Sequence, residues 1–160
     1  MMRVPGTAPA ISVATLTTPI GRISVTAVGR AVRAVQFGGP PRRGPRSSLL
    51  ERALRQLEAY FAGRLRHFDL PLDPAGTTFQ KRVWRELGRI PFGDTVTYGE
   101  IAAQVGNARA SRAVGGANHR NPIAIIIPCH RVVGAGGALT GYASGIERKA
   151  WLLEHERRLR

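Results

Sequence analysis

Between residues 11 and 37 the chain alternates apolar and polar residues in three short runs. The runs are ISVATLT (11–17), RISVTAV (22–28) and AVRAVQF (31–37), separated by Thr18-Pro19-Ile20-Gly21 and by Gly29-Arg30. A period of two places successive side chains on opposite faces of an extended strand, and such tight connections favour antiparallel neighbours. The spacing predicts a three-stranded antiparallel meander, with Val32 and Val35 only loosely in phase. The segment GGPPRRGP (38–45) that follows is a breaker-rich basic loop.

From there the period changes. Leu50, Ala53, Leu54, Leu57 and Phe61 recur at helical spacing through 48–62, with Ser47 or Ser48 as the cap, Glu51 completing a capping box and Gly63 as the stop. Residues 64–76 form a connection with a short extended piece near Leu70–Leu72, and a domain boundary is set near Gly76. Thr77 or Thr78 caps a helix carrying Phe79, Val83, Trp84 and Leu87, which Pro91-Phe92-Gly93-Asp94 ends. Thr97 caps a short helix from Tyr98 to Val105, Gly106-Asn107 turns, and a second short helix runs from about Ala108 to Asn118. Two short helices across a glycine-containing turn make a helix-turn-helix pattern. Ile123–Ile127 reads as a buried strand, Gly134–Gly145 as a glycine-rich loop, and 146–158 as a last helix with Ile146, Ala150, Leu152 and Leu153 inward. The expected fold is therefore α+β. A small N-terminal domain (1–76) holds an antiparallel three-stranded sheet with a helix, and a mainly helical winged helix-turn-helix domain (77–160) follows.

The formal charge is +14, which suits a polyanionic partner such as nucleic acid. Arginine outnumbers lysine 22 to 2, so a compositional coding bias explains the charge as readily as a selected patch. The single cysteine, Cys129, excludes an intramolecular disulfide and a cysteine-rich zinc site, and the four histidines lack metal-ligand spacing. No structural metal and no cofactor are expected. No apolar run is long enough to span a membrane, and Met1–Pro9 lacks the apolar core of a leader, so a cytoplasmic location is expected.

Cys129 follows an apolar run and Pro128 and precedes His130 and Arg131. Neighbours that are positive or accept a proton favour a thiolate, which attacks soft carbon. In an extended segment His130 would point away from Cys129, so contact needs a turn or an intervening water. Glu147, Glu154 and Glu156 are the carboxylates of the last helix available to orient that histidine. On residues alone, Cys129 is either a small buried hydrophobe or a nucleophile. Taken singly, Tyr98, Arg112, Gly115, Gly116 and Glu156 read equally as surface or packing residues.

The run IPCHRVV (127–133) resembles the active-site signature of the O6-alkylguanine-DNA alkyltransferases. The similarity spans residues 77–157 through FQKRVW (79–84), IPFGDTVTYGEIA (90–102), SRAVGGA (111–117), NP (121–122), GYASG (141–145) and KAWLLEHE (149–156). The resemblance implies DNA repair by irreversible, single-turnover transfer of an alkyl (methyl) group from O6-alkylguanine to the thiolate of Cys129. By this resemblance His130 activates Cys129 through a water, Glu156 orients His130, and Tyr98 gives a proton to the departing guanine. Asn121 braces the turn bearing the cysteine. Arg112 fills the gap left by the flipped nucleotide, Gly115, Gly116 and Ala117 let the helix approach the minor groove, and Arg131 joins the DNA-binding set. Val132, Tyr142, Ala143 and Ser144 form the base pocket. Relatives commonly have glycine where Ser144 stands, so a positive φ there would be strained and a side chain there would narrow the pocket. The implied partner is double-stranded DNA containing O6-alkylguanine, bound by a protein that is monomeric in solution, with cooperativity on DNA left open. Two rival functions are a lesion-binding module without transfer activity, and a transcriptional regulator reading an operator through the helix-turn-helix.

Overall fold

The computed structural model describes residue 6 and residues 8–160; most of Met1–Pro9, the stretch that lacks a leader's apolar core, lies outside these. Three strands, β1 (Ile11–Thr18), β2 (Gly21–Val28) and β3 (Ala31–Phe37), form an antiparallel sheet in the order β1-β2-β3. Val32 and Val35 are both buried although an odd number of positions apart. The register explains this. Thr26 pairs with Ala34 and Ala27 with Val32, so Arg33 is the extra residue of a β-bulge that resets the phase.

Helix α1 (Ser48–Phe61) covers one face of the sheet and buries Leu50, Ala53, Leu57 and Tyr60. Its cap is Ser47, whose side chain accepts from the Leu50 amide at 3.1 Å. That choice leaves Glu51 out of the capping box expected from sequence. The inward stripe ends on Tyr60, while Phe61 is only half-buried.

Helix α2 (Thr78–Leu87) starts at a capping box between Thr77 and Gln80. Gly76 packs so tightly beneath the Trp84 ring that a Cβ there would overlap it. A second capping box, Thr97 with Glu100, starts α3 (Tyr98–Gln104), and α4 (Ser111–His119) follows. The latter begins later than its sequence suggested, because Asn107 Oδ1 accepts from the Arg109 amide and holds 107–110 in a turn. Strands β4 (Val96–Thr97) and β5 (Val132–Val133) pair in parallel, and α5 (Ile146–Arg158) closes the fold. Leu152 is buried on α5, but Ile146 is 40% exposed and does not face inward.

The predicted strand at Ile123–Ile127 is absent. Five buried or half-buried apolar residues suit a strand on composition, yet here they form tight turns. The Ile126 amide donates to the Ala124 carbonyl at 2.8 Å, with Ile125 at φ 72°, and the Cys129 amide donates to Ile127 at 2.8 Å around Pro128. Both are three-residue turns, and a β-branched residue at positive φ is strained. The outer edge of β3 meets this segment directly. The Val35 amide donates to Pro122 O at 3.0 Å and Val35 O accepts from the Ala124 amide at 3.1 Å. Further along, Val32 bonds to Pro71 O and the Asp73 amide. The edge strand is thus covered, and the sheet is joined to the backbone leading into Cys129.

Candidate active site

Asn121 shapes the approach to the cysteine. Its Oδ1 accepts from the Ile123 amide at 3.0 Å and its Nδ2 donates to Ile127 O at 2.8 Å, clamping both ends of the turn segment. Cys129, His130 and Arg131 then form a single 3-10 turn, all buried. This turn, rather than an extended strand, sets the relation between Cys129 and His130.

His130 Nε2 lies 2.7 Å from Glu156 Oε2. Arg131 grips the same carboxylate with Nε at 2.8 Å to Oε1 and Nη2 at 3.0 Å to Oε2, and its Nη1 donates to Ile90 O at 2.7 Å. Burial alone would raise the Glu156 carboxyl, but the hydrogen bonds from His130 and from the paired, charged Arg131 outweigh it and hold it well below the usual carboxylate range. Burial pushes His130 below its ordinary value despite the pull of Glu156. An ionised carboxylate only accepts, so the neutral imidazole carries its hydrogen on Nε2. Nδ1 is left with its lone pair and has no protein partner.

Burial raises the Cys129 thiol above its ordinary value, and the Asn121 side chain and Lys149 offset this only in part. The resting group is therefore a thiol, not the thiolate that its neighbours suggested from sequence. Arg131 spends its charge on Glu156, so it neither activates Cys129 directly nor reaches the surface to bind DNA.

Cys129 opens onto a pocket of about 260 Å³ shared with Asn118, Asn121, Tyr142, Ala143 and Ser144. Val35, Gln36 and Phe37 of β3, with His119 and Ala124, complete the wall. Tyr142 Oη and Asn118 Oδ1 are buried there without partners. Val132 is fully buried in β5 and does not line the pocket. Ser144 is not at positive φ, which falls instead on Gly141 and Gly145, and it lines the pocket. A larger cavity, about 740 Å³, lies between the 66–74 connection and α2 and does not touch Cys129, so size alone does not mark the site.

Tyr98 is the first residue of α3, and its hydroxyl donates to Thr140 O at 3.2 Å. Arg112 and Gly116 are exposed on α4, and space around Gly116 is open. Gly115 sits beside the Tyr98 ring. Ala117 is buried, and its carbonyl accepts from Trp84 Nε1 at 2.9 Å, so it faces the core rather than a groove.

Three side chains were not anticipated. Asn118 donates to Cys129 O at 3.3 Å, and Tyr60 donates to Glu156 Oε2 at 2.6 Å. Lys149 is fully buried, its ammonium on the carbonyls of Val132, Thr140 and Gly141. Lys149 had a signal: it is one of only two lysines in an arginine-rich chain. A compact ammonium can reach three carbonyls that a planar guanidinium cannot. Among the described residues no cluster of three or more His, Cys, Asp or Glu could hold a metal, and no helix is long and apolar enough to cross a membrane.

Residues 78–158 match the family model for the 6-O-methylguanine DNA methyltransferase DNA binding domain, and residues 11–74 match that for its ribonuclease-like domain. The methylated-DNA--protein-cysteine methyltransferase of Methanosarcina acetivorans is 66% identical over 104 residues, covering 65% of this chain and 67% of the relative. Its counterpart in Mycobacterium leprae is 50% identical over 145 residues, 87% of this chain and 88% of the relative. The crystal structure of Mycobacterium tuberculosis OGT in complex with DNA superposes with a TM-score of 0.85 at 46% identity, covering 92% of this chain and 93% of that one.

Proposed function

Because the chain belongs to the 6-O-methylguanine DNA methyltransferase family, we propose that it repairs alkylated DNA directly, with Cys129 as the acceptor of the alkyl group. The observation that carries this reading is the Glu156–His130 pair. It fixes a neutral imidazole with a free Nδ1 on the turn that bears the only thiol of the chain.

The chemistry follows from that arrangement. The alkylated oxygen lies within the duplex, so the nucleotide is extruded at a cost of roughly a few kcal/mol. Arg112, exposed on α4, fills the gap, and Gly116 lets the helix backbone approach the minor groove. In the pocket, the Cys129 proton passes by way of a water to His130 Nδ1 as Sγ attacks the alkyl carbon. The carbon–O6 bond breaks and its electron pair goes to the purine. Tyr98 exchanges Thr140 O for a ring nitrogen of the base and supplies a proton, so guanine leaves neutral. The proton held on His130 then leaves to solvent and solvent reprotonates Tyr98, so the net change replaces the thiol proton by the alkyl group and places one proton on guanine. A raised thiol pKa suits this scheme, because deprotonation is coupled to attack and free thiolate does not accumulate. A thioether is not reduced back by cellular thiols, so each molecule reacts once. No cofactor enters. The substrate is double-stranded DNA containing O6-alkylguanine, met by a cytoplasmic monomer.

Intact-mass spectrometry after mixing the protein with duplex DNA carrying one O6-methylguanine tests this, with Cys129→Ser as control. The expected result is a gain of about one methyl mass on the wild type only, saturating at one per chain. Tight binding of that DNA without a mass change indicates a lesion-binding module instead, and sequence-specific binding without lesion preference indicates a regulator.

A further inference from the structure

Tyr60 belongs to α1 of the first domain, yet its hydroxyl ends on the carboxylate that holds His130. Glu156 Oε2 accepts from Tyr60 Oη at 2.6 Å, His130 Nε2 at 2.7 Å and Arg131 Nη2 at 3.0 Å. Oε1 accepts from Arg131 Nε at 2.8 Å and the Gly93 amide at 3.3 Å. A carboxylate offers about four lone-pair sites, so these donors compete for directions around it. The ring of Tyr60 cannot swing away. It is fully buried, edge-on to Phe61 and Phe92, tilted on Phe68, and packed against His155. Burial and the adjacent Glu156 charge keep the phenol protonated well above its ordinary range, so it remains a donor wherever the protein is folded.

We infer that Tyr60 is a positioning residue for alkyl transfer, through which the first domain fixes Glu156 and thereby sets the orientation and proton affinity of His130. The inference rests on the function proposed above. Two effects follow from one hydrogen bond. The phenol holds Oε2 in place for the imidazole. It also draws charge from the oxygen that receives the Nε2 hydrogen, weakening the carboxylate's pull on the imidazolium. Without it, Glu156 holds the imidazolium more tightly and His130 stays protonated to higher pH. The groups facing His130 and Glu156 are otherwise Arg131 from the 3-10 turn and Lys149 from α5, and neither touches Tyr60 Oη.

The test compares full-length wild type with Tyr60→Phe, which keeps the ring and removes the hydroxyl, and with Phe68→Leu, which loosens the packing and keeps the hydroxyl. Single-turnover transfer rates are measured from about pH 5 to 9, alongside thermal melts and an NMR titration of the His130 ring in the absence of DNA. Tyr60→Phe should slow transfer at neutral pH by about tenfold, the loss of one hydrogen bond's worth of positioning. It should also shift both the acidic limb of the rate profile and the His130 titration upward. Phe68→Leu should melt lower with wild-type rates and titration. A wild-type rate profile and His130 titration in Tyr60→Phe overturns the inference, as does an equal loss in Phe68→Leu. If wild type itself transfers nothing, the proposed function fails, and the His130 titration still decides whether Tyr60 tunes the ring.

Discussion

Lys149 Nζ donates to the Val132 carbonyl at 2.6 Å, tying α5 to the strand that leaves the cysteine turn. The same ammonium takes Thr140 O at 2.9 Å, the carbonyl that also accepts from Tyr98. One buried cation thus fixes the floor of the site, the glycine-rich loop and the partner of Tyr98 together. Replacing it with Met, of similar length, takes the ammonium from the Val132 and Gly141 carbonyls and leaves Thr140 O with Tyr98 alone. The expected loss is about 3 kcal/mol of stability in urea unfolding, given roughly 1–3 kcal/mol for each group left unsatisfied. A loss below about 1 kcal/mol would show that water replaces the ammonium at little cost. Lys149→Arg should not restore stability, because a planar fork cannot aim at all three acceptors.

Acid should weaken the fold in two stages. His130 sits below its ordinary 6.5 through burial. Glu156 sits well below its ordinary 4.5, with the hydrogen bonds of His130 and Arg131 overcoming burial. In both cases the unfolded chain takes up the proton at a higher pH than the folded one. Stability from these groups is therefore full above about 6.5 and falls as pH drops, more steeply below about 4.5. A tenfold difference in proton affinity between the folded and unfolded chain is worth about 1.4 kcal/mol. Melting temperature against pH should show both stages, and Glu156→Gln should flatten the lower one. A melting temperature constant from about pH 8 to pH 4 would falsify the buried pair as described.

Gly116 separates folding from DNA binding. A Cβ there meets nothing within 4 Å, so Gly116→Ala should stabilise α4 by about 0.5–1 kcal/mol. If this face approaches a groove, the same methyl group should weaken binding to duplex DNA by about tenfold. Paired melts and fluorescence-anisotropy titrations read the two effects independently; a more stable variant with unchanged affinity would remove Gly116 from the interface.

Local patterns carried most of the architecture. Period-two runs marked out the meander, and a threonine ahead of an apolar-periodic run marked the helix starts at Thr97 and at Thr77 or Thr78, although the capping-box partners Gln80 and Glu100 went unread. What stayed hidden depended on contacts between distant parts of the chain. Ile123–Ile127 has a strand's composition, but its hydrogen bonds go to the neighbouring Asn121 side chain and to the edge of β3, and no local window contains the latter. Arg131 read as a neighbour favouring the thiolate and as a DNA contact because its partner, Glu156, lies 25 residues further on. Tyr60 lies at helical spacing from Ala53 and Leu57, yet the inward stripe was read onto Phe61, and the acceptor at the end of the Tyr60 hydroxyl had no local signal at all. Ala117 shows the converse: a small residue on a helix signals close approach without saying whether the visitor is DNA or Trp84.

The hydrogen bonds from Val35 to Pro122 and Ala124 tie the cysteine segment to a strand made much earlier in the chain. They join positions far apart in the chain, so the entropy of closing the intervening loop comes before any gain from pairing. The cysteine segment, with Ile125 at an unfavourable φ, has little reason to adopt its turns until that edge is waiting. During synthesis the nucleophile emerges long after β3, and its geometry is completed by a template already in place. Reactivity is in this sense a late product of folding: a partly folded chain holds the thiol but lacks the tools to use it.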